Sequence, residues 1–197
     1  MTVADITPAD VELFWHEVSI RPGSELDPDN ALFKPERSVS FLYRIGEAMP
    51  RMSSNYTMRL RHLPVMRVAH GDVLLTGLGL GMVAVGLLKL PTVRSVTVIE
   101  LDKHLIRMMR SQLPPALKIE HADAFHWQPR FNARYDVIWH DIWSDLGIQR
   151  VLPEHQEIMD LYAYFLKPGG WQECFMHDRM VEVLRQKPGG LFCPTPD

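Results

Sequence analysis

The sequence predicts an α/β domain built on a doubly wound, mainly parallel β-sheet with helices on both faces. Short apolar runs rich in valine and isoleucine alternate along the chain with longer segments of helical character. A glycine-rich turn follows the first run of this series, and polar residues end the next ones. Regular alternation of strand and helix is typical of parallel sheets with helical crossovers. Ligands bind beyond the carboxyl ends of the strands in such sheets, so we expect the functional residues there.

The centre of this pattern is a strand, a turn, a helix and a second strand. The apolar run 73–75 predicts a buried strand, the glycines of residues 77–81 predict a tight turn, and residues 82–90 predict a helix packed on the sheet. A second β-prone run over residues 96–99 then ends at Glu100. An acidic residue therefore closes the second strand of the unit.

The glycine turn and Glu100 together indicate a nucleoside-containing ligand. Glycine has no Cβ, so the backbone can approach a ligand, and the following helix directs free N–H groups and partial positive charge toward it. Glu100 lies about twenty residues further on, the spacing at which an acid accepts hydrogen bonds from ribose hydroxyls. Two alternatives stay open. Structural turns have the same composition, and residues 79–84 also fit a nicotinamide dinucleotide fingerprint, in which Asp123 would have no role.

The chain before this unit is assigned to a separate region. Residues 1–54 are expected to form an N-terminal arm and β-hairpin, and residues 55–197 the sheet domain. Residues 1–36 have little pattern, so we expect them to cover either an edge of the domain or the ligand site.

The hairpin and the first helix are predicted from alternation and from helix signals. Residues 38–44 and 48–53 are β-prone and are joined by a short segment that contains Gly46. Residues 56–69 predict a helix with a kink or a break at Pro64.

The second half of the chain continues the alternation and supplies two more polar strand ends. Asp123 follows the third strand, and His140-Asp141 follows the fourth. Four neighbouring strand ends would then carry polar groups or glycines, which chance alone rarely gives. The predicted elements are a helix over residues 103–112, strands over 116–119 and 135–139, a helix over 153–166, a loop over 167–170, a strand over 171–176, a helix over 178–186 and a tail.

Composition restricts the class of partner. The 197 residues carry 21 basic and 24 acidic side chains and a formal net charge of −3, which argues against a broad basic surface for nucleic acid. The start of the chain does not resemble a signal peptide, and no apolar segment has membrane-spanning length. We therefore expect a cytoplasmic protein that acts on a small molecule, without a membrane partner, and that could form a homo-oligomer.

Cysteine and histidine usage predicts no metal site. Cys174 and Cys193 are too few for a disulfide framework or a four-thiolate zinc site. His121, Asp123 and His126 lie close together in the sequence, but no further ligand pattern accompanies them.

Five segments together resemble the class I S-adenosylmethionine-dependent methyltransferase fold, and within it the spermidine-synthase-like branch. They are VLLTGLGLG, VTVIELD, HADAF, YDVIWHD and FLKPGGW, and the resemblance covers residues 55–176. It implies a Rossmann-like fold, S-adenosyl-L-methionine as the cofactor, and methyl transfer to an acceptor that the sequence does not identify. The family's sheet usually finishes with two further strands in an antiparallel hairpin, but only about twenty residues follow Met176, so we expect a shortened sheet completed by the N-terminal hairpin or by a partner chain.

The resemblance implies roles for individual residues. Glu100 would hold the ribose hydroxyls, with Leu101 against the adenine. Asp123 would accept from the adenine amino group, and Ala124 would contribute its backbone. The cofactor-binding residues expected in this way are Gly77, Leu78, Gly79, Gly81, Glu100, Leu101, Asp123, Ala124 and Asp141.

Asp141 and His140 are the candidate catalytic residues. Asp141 stands where the family places a residue beside the reactive sulfonium, so a carboxylate there would orient or deprotonate a nucleophile. A strand-end aspartate is also a common helix cap, and a lone histidine is often structural. Trp139 and Trp143 flank Asp141. Both are candidates for stacking on adenine or an aromatic substrate, although core packing is favoured for Trp139.

Two departures from the spermidine synthases favour a methyltransferase. Those enzymes carry an acidic residue inside the glycine run, where this chain has Leu80. They also follow the fourth-strand aspartate with a Ser or Pro-rich segment, where this chain has Ile142-Trp143. The alternatives are a spermidine-synthase-like aminopropyltransferase and a non-catalytic module that binds S-adenosylmethionine.

Overall fold

The computed structural model describes residues 41–42, 52–53, 58, 61–129, 133–143 and 148–186. Its first elements are two short antiparallel strands, β1 (Phe41–Leu42) and β2 (Met52–Ser53), which form a sheet of their own. The predicted hairpin is confirmed at these residues, but they do not complete the main sheet as expected. The arm over residues 1–36, the tail after residue 186 and Cys193 lie outside the described residues.

The main sheet has five strands, and every neighbouring pair in it is parallel. The chain moves outward from the central strand to one edge and then starts again on the other side of that strand, which makes a topological switch point. The strands are β3 (Gly71–Thr76), β4 (Val93–Glu100), β5 (Lys118–His121), β6 (Tyr135–His140) and β7 (Leu166–Cys174), in the spatial order β5-β4-β3-β6-β7.

Helices cover both faces of this sheet. Val73 and Leu75 belong to one buried cluster and Leu74 to another, because successive side chains of a strand point to opposite faces. The first cluster includes Val65 and Leu87 from helices that precede and follow β3. The helices are α1 (Leu63–Val68), α2 (Met82–Leu88), α3 (Lys103–Arg110), α4 (Ile148–Ala163) and α5 (His177–Gln186).

Helix α4 covers the opposite face. Its Ile158 and Tyr162 are 0% exposed and pack with Leu74 and Ile138 of the central strands. With both faces buried, the central strands are continuous apolar runs, as the sequence predicts. None of the described helices has the length and apolar character required to cross a membrane.

The prediction of a loop over residues 167–170 is wrong, because this Pro-Gly-Gly segment is part of β7. Tyr135 pairs with Leu166 and Val137 pairs with Trp171, so β7 advances further than β6 between these two pairs. Gly169 takes a φ of +77° there, which glycine allows. The turn residues are therefore absorbed as an irregularity inside the strand.

Two helices contain a proline, one in its first turn and one further inside. Helix α1 begins at Leu63 with Pro64 in its first turn, where the missing proline N–H costs no hydrogen bond. This confirms the predicted break. Helix α4 begins at Ile148 and includes Pro153, so the predicted start at residue 153 is wrong. Its buried residues lie on both sides of this proline, from Val151 onward, and their packing maintains the helix.

Candidate functional site

The carboxyl ends of four parallel strands lie side by side at one edge of the sheet. Thr76 at the end of β3 pairs with Ile99 of β4 and with His140 of β6. Glu100 at the end of β4 pairs with His121 of β5. The segments that follow these strands therefore share one edge, at the switch point between β3 and β6.

The turn after β3 has a left-handed backbone at three glycines. The φ angles are +95° at Gly77, +50° at Gly79 and +71° at Gly81, a region that other residues rarely adopt. A Cβ on Gly77 would lie 2.1 Å from the carbonyl oxygen of Asp141, so these two segments touch through their backbones. The absence of a Cβ on Gly79 likewise leaves space that the sulfur of Met52 occupies. Packing of protein groups thus accounts for these glycines, and their contact with a cofactor stays a prediction.

The Glu100 carboxylate joins the end of β4 to the glycine turn. Its Oε2 accepts a hydrogen bond from the Leu78 amide at 2.8 Å, and its Oε1 accepts one from the Asp102 amide at 2.7 Å. A carboxylate oxygen can accept more than one hydrogen bond, so capacity for hydroxyl donors remains. Glu100 therefore stabilises the turn, and its ribose contact stays a prediction compatible with this geometry.

Two accessible side chains follow the carboxyl ends of β4 and β5. Leu101 is 65% exposed, and the side chain of Asp123 is 43% exposed. Asp123 Oδ2 lies 2.9 Å from His126 Nδ1, and its Oδ1 accepts from the Phe125 amide at 3.0 Å. These hydrogen bonds, that of His126 first, lower the pKa of the Asp123 carboxyl. An exposed apolar side chain beside ionised acceptors suits a base that carries an amino group.

Asp141 is a poorly solvated carboxyl group at the end of β6. Its side chain is 18% exposed, and burial raises its pKa from 3.8 to about 7. The Nε2 atom of His62 lies 3.7 Å from Asp141 Oδ2, which is too long for a hydrogen bond. Burial first, and then the charge of Arg61, lowers the pKa of His62 to about 3. The imidazole is therefore neutral near pH 7, and the contact is not an ion pair.

His62 and Met52 are site residues that sequence reasoning missed. The His62 ring stacks on Phe175 at 4.8 Å and contacts the edge of Trp139 at 6.1 Å. The Met52 sulfur lies 3.2 Å from the Leu80 amide. Neither residue belongs to a motif. Only the folded chain brings residues so distant in the sequence to Asp141 and to the glycine turn.

The structure argues against catalysis by His140. Its side chain is 0% exposed and its ring lies 4.8 Å from that of Tyr162, on the α4 face of the sheet. His140 Nδ1 lies 3.0 Å from Thr76 Oγ1, and burial lowers its pKa to about 3. The Tyr162 hydroxyl in turn donates to the carbonyl of Ala124 at 2.8 Å. His140 is thus a neutral, enclosed group that orders the core beneath the site.

The two tryptophans beside Asp141 differ in environment. Trp139 is 2% exposed and stacks on Trp171, with 6.0 Å between ring centroids and 10° between planes, so its core role is confirmed. Trp143 donates through Nε1 to Glu154 at 2.6 Å, and its ring lies 4.2 Å from that of His155. This half-buried side chain is therefore fixed to α4.

Within the described ranges, no group of three or more His, Cys, Asp or Glu side chains could hold a metal ion. His121 Nε2 instead lies 3.0 Å from the carbonyl oxygen of Leu101, and His126 contacts Asp123.

Comparison with known proteins identifies a family and several structures of similar fold. The family model of the spermine/spermidine synthase domain matches residues 53–187, which is more than half of the chain. A comparison with curated protein sequences gave no significant match.

Three solved structures illustrate the similarity of fold. The DhpI–SAH complex is 18% identical with a TM-score of 0.47, and the match covers 60% of this chain and 55% of that one. The N-methyltransferase NodS from Bradyrhizobium japonicum WM9 is 20% identical with a TM-score of 0.45, covering 59% and 66%. An S-adenosylmethionine-dependent methyltransferase from Mesorhizobium loti is 17% identical with a TM-score of 0.43, covering 56% and 51%. This chain therefore spans about half to two thirds of the structures it resembles, and similarity at this level identifies neither its ligand nor its reaction.

Proposed function

This chain belongs to the spermine/spermidine synthase domain family, and we propose that within this family it is an S-adenosylmethionine-dependent methyltransferase. The observation that carries the proposal is the position of Asp141. Its carboxyl group has a pKa raised to about 7, and its backbone touches the glycine turn at the switch point of the sheet. A proton acceptor of this kind beside a nucleoside site suits transfer to an N–H or O–H nucleophile.

The residues at the edge of the sheet fit the proposed cofactor chemically. The Glu100 and Asp123 carboxylates offer acceptors for ribose hydroxyls and for an adenine amino group. The exposed side chain of Leu101, which follows Glu100, would be an apolar contact for the ring. Gly77, Gly79 and Gly81 would carry the methionine portion across the turn. This assignment is part of the proposal.

S-adenosylmethionine supplies an electrophilic methyl group on a positively charged sulfur. Asp141 Oδ2 would accept the proton that the attacking group loses, and its raised pKa makes it a stronger base than an exposed aspartate. Neutral His62 stands 3.7 Å from this oxygen without neutralising it. The buried rings of Phe175 and Trp139 contact His62, which is itself 0% exposed, so water is excluded from this imidazole.

A spermidine-synthase-like aminopropyltransferase is the second candidate, and the family match favours it. The residue that would have to be acidic in that reaction is Leu80, which is 5% exposed and packs in the hydrophobic core. A buried leucine offers an amine no counter-charge. A third candidate is a non-catalytic module that keeps the nucleoside site for regulation.

The test is calorimetric titration of the protein with S-adenosylmethionine, its decarboxylated form, S-adenosylhomocysteine and NAD. We expect S-adenosylmethionine and S-adenosylhomocysteine to bind most tightly. Preference for the decarboxylated form would instead support aminopropyl transfer. Binding of NAD with no binding of either sulfonium compound would end the methyltransferase proposal.

Asp141→Asn tests the catalytic assignment. Asparagine keeps the shape of the side chain but cannot take up a proton, so we expect methyl transfer to fall by about 10²–10⁴-fold while cofactor affinity is preserved. Asp160→Asn, on the exposed surface of α4, is the control variant. Turnover by Asp141→Asn equal to that of the wild type would refute the catalytic role of Asp141.

A further inference from the structure

A cleft beside the candidate base has a composition that the cofactor site does not explain. It lies between α1, the ends of β6 and β7, and the start of α5, and has a volume of about 440 Å³. Small-molecule sites have volumes of about 300–1,000 Å³, so a ligand of modest size fits. The lining residues used below are Arg61, Arg67, Trp139, Trp171, Glu173 and Arg179.

Three guanidinium groups face this cleft. In the described part of the chain, Arg67 and Arg179 have neither a hydrogen-bond partner nor a counter-ion. The Nε atom of Arg61 is buried and has no partner among the same residues. Burial first, and then the charge of Arg179, lowers the pKa of Arg61. Cations that repel one another without an anion between them are typical of a site for carboxylate or phosphate.

Two carboxylates also line the cleft, and each has interactions of its own. Glu173 Oε1 accepts from the Cys174 amide at 3.1 Å, and burial raises the pKa of this side chain. Asp178 lies in the first turn of α5, where the helix dipole stabilises an acid. The three guanidinium groups therefore leave an excess of positive charge in the cleft.

The floor of the cleft is flat and apolar. The rings of Trp139 and Trp171 stack in nearly parallel planes, and the Trp139 indole Nε1 is buried with no partner among the described residues. Trp139 is 2% exposed, so the half-buried ring of Trp171 supplies the surface on which a planar molecule can lie. The Trp139 ring also lies 6.1 Å from that of His62, which stands beside Asp141. Two buried rings, those of Trp139 and His62, thus separate the cleft from the candidate base.

We propose that this cleft binds an anionic small molecule with a planar apolar body. The anion would contact the guanidinium groups, and the planar body would lie against the half-buried indole of Trp171. A polyamine, the natural cation for this family, would meet net positive charge instead. The inference does not rest on the proposed function.

The test compares two probes that share a ring system and differ in charge, 2-naphthoate and 2-naphthylmethylammonium. Calorimetric titration without cofactor should show binding of the carboxylate and at least about tenfold weaker binding of the amine. The double variant Arg67→Gln/Arg179→Gln should lose about tenfold in affinity for 2-naphthoate. Arg185→Gln removes a charge from an exposed position of α5 outside the cleft and should leave the affinity unchanged.

Both substituted arginines are exposed, so the double variant should fold, and its thermal midpoint should match that of the wild type. Added sodium chloride should also weaken binding of 2-naphthoate to the wild type, because exposed charges are screened. Absence of 2-naphthoate binding, equal affinity for the two probes, or no effect of the double variant would overturn the proposal.

Titration of the same samples with S-adenosylhomocysteine separates this inference from the proposed function. If S-adenosylhomocysteine binds and 2-naphthoate does not, the anion site is refuted and the proposed function stands. If 2-naphthoate binds and S-adenosylhomocysteine does not, the anion site stands and the proposed function falls.

Discussion

Asp141 carries a cost in stability together with its proposed role in catalysis. Burial raises its pKa from 3.8 to about 7, so the folded chain binds a proton there that the unfolded chain releases at lower pH. Between these two values the folded state holds more protons than the unfolded state, and stability falls as pH rises. Above about pH 7 the whole cost of a desolvated carboxylate is present.

Asp141→Asn should therefore be more stable than the wild type at neutral and alkaline pH. The uncharged amide avoids the desolvation cost, and we expect a gain of about 1–3 kcal/mol in the free energy of unfolding at about pH 8. The gain should vanish below about pH 3, where the wild-type carboxyl is protonated in both states. Urea unfolding at the two pH values measures it, with Asp160→Asn as control. Destabilisation at the higher pH would mean that a partner compensates the charge.

Glu100→Ala should weaken binding of S-adenosylhomocysteine by about 1–3 kcal/mol, the scale of a lost hydrogen bond to a charged group. The same substitution removes the hydrogen bond from the Leu78 amide to Glu100, so the free energy of unfolding must be measured on the same variant. Calorimetric titration gives the affinity and urea unfolding gives the stability. Reduced stability with unchanged affinity would leave Glu100 as a support of the turn and refute its ribose role.

At the scale of single elements, the glycine turn depends on contact as well as on conformation. Gly77→Ala would place a methyl group 2.1 Å from the Asp141 carbonyl oxygen at a φ of +95°. Gly169 also has a positive φ, of +77°, but no described atom lies within 4 Å of a Cβ built there. Gly169→Ala should therefore cost only about 1–2 kcal/mol for its backbone.

We expect Gly77→Ala to cost clearly more than this, by about 1–3 kcal/mol, because the turn and the Asp141 segment must move apart. Urea unfolding of the two variants gives the comparison, and S-adenosylhomocysteine affinity should fall only for Gly77→Ala. Equal destabilisation by both substitutions would show that the glycine turn and the Asp141 segment can move apart without further loss of stability.

The elements that the sequence predicted best are those whose local pattern and burial agree. The apolar run of β3, the glycines after it and the strand ending at Glu100 are local features, and the structure has them at the predicted places. The prediction of a loop over residues 167–170 is wrong because the proline and glycines of this segment are residues typical of turns. Pairing of Leu166 and of residues 171–174 with β6, on either side of the segment, holds it in β7.

The candidate site also has parts that the sequence predicts and parts that it does not. A parallel sheet brings the carboxyl ends of its strands to one edge, so the order of elements alone predicts that Glu100 and Asp141 share that edge. The sequence could not show that His140 turns into the core, because that depends on which face of β6 meets α4. His62 and the arginines of the cleft come together only through packing of α1 and α5 against the sheet.

At the scale of the whole molecule, polar groups lie at both ends of the sheet. Those at the amino ends of the strands interact with one another and stabilise the fold. Asp72 of β3 accepts hydrogen bonds from Arg94 and Ser95 of β4, and Lys167 Nζ lies 2.7 Å from Asp136 and 3.3 Å from Asp72. The Asp72 amide donates to Asp136 Oδ2 at 2.7 Å. This cluster joins four strands at the end opposite to the site.

The cluster should make the fold sensitive to acid between about pH 4 and pH 2. The hydrogen bond from Arg94, with smaller contributions from Ser95 and Lys167, lowers the pKa of Asp72 from 3.8 to about 2. Hydrogen bonds from Lys167 and the Asp72 amide also lower the pKa of Asp136, although burial opposes them. The unfolded chain takes up these protons first, so the stability they provide is complete above about pH 4 and is lost as pH falls to about 2.

Asp72→Asn should therefore be less stable than the wild type at neutral pH and should lose less stability as pH falls through this window. The asparagine amide cannot ionise, so it forms no ion pair with Arg94 or Lys167 that protonation at low pH could break. Urea unfolding from about pH 5 to about pH 2 gives the two profiles, which should converge at the acid end. Asp160→Asn, whose native carboxylate accepts only a hydrogen bond from Gln156 among the described residues, should follow the wild type throughout. Parallel profiles for Asp72→Asn and the wild type would show that solvent screens this cluster, and that the apolar contacts of the two sheet faces alone hold the strands together.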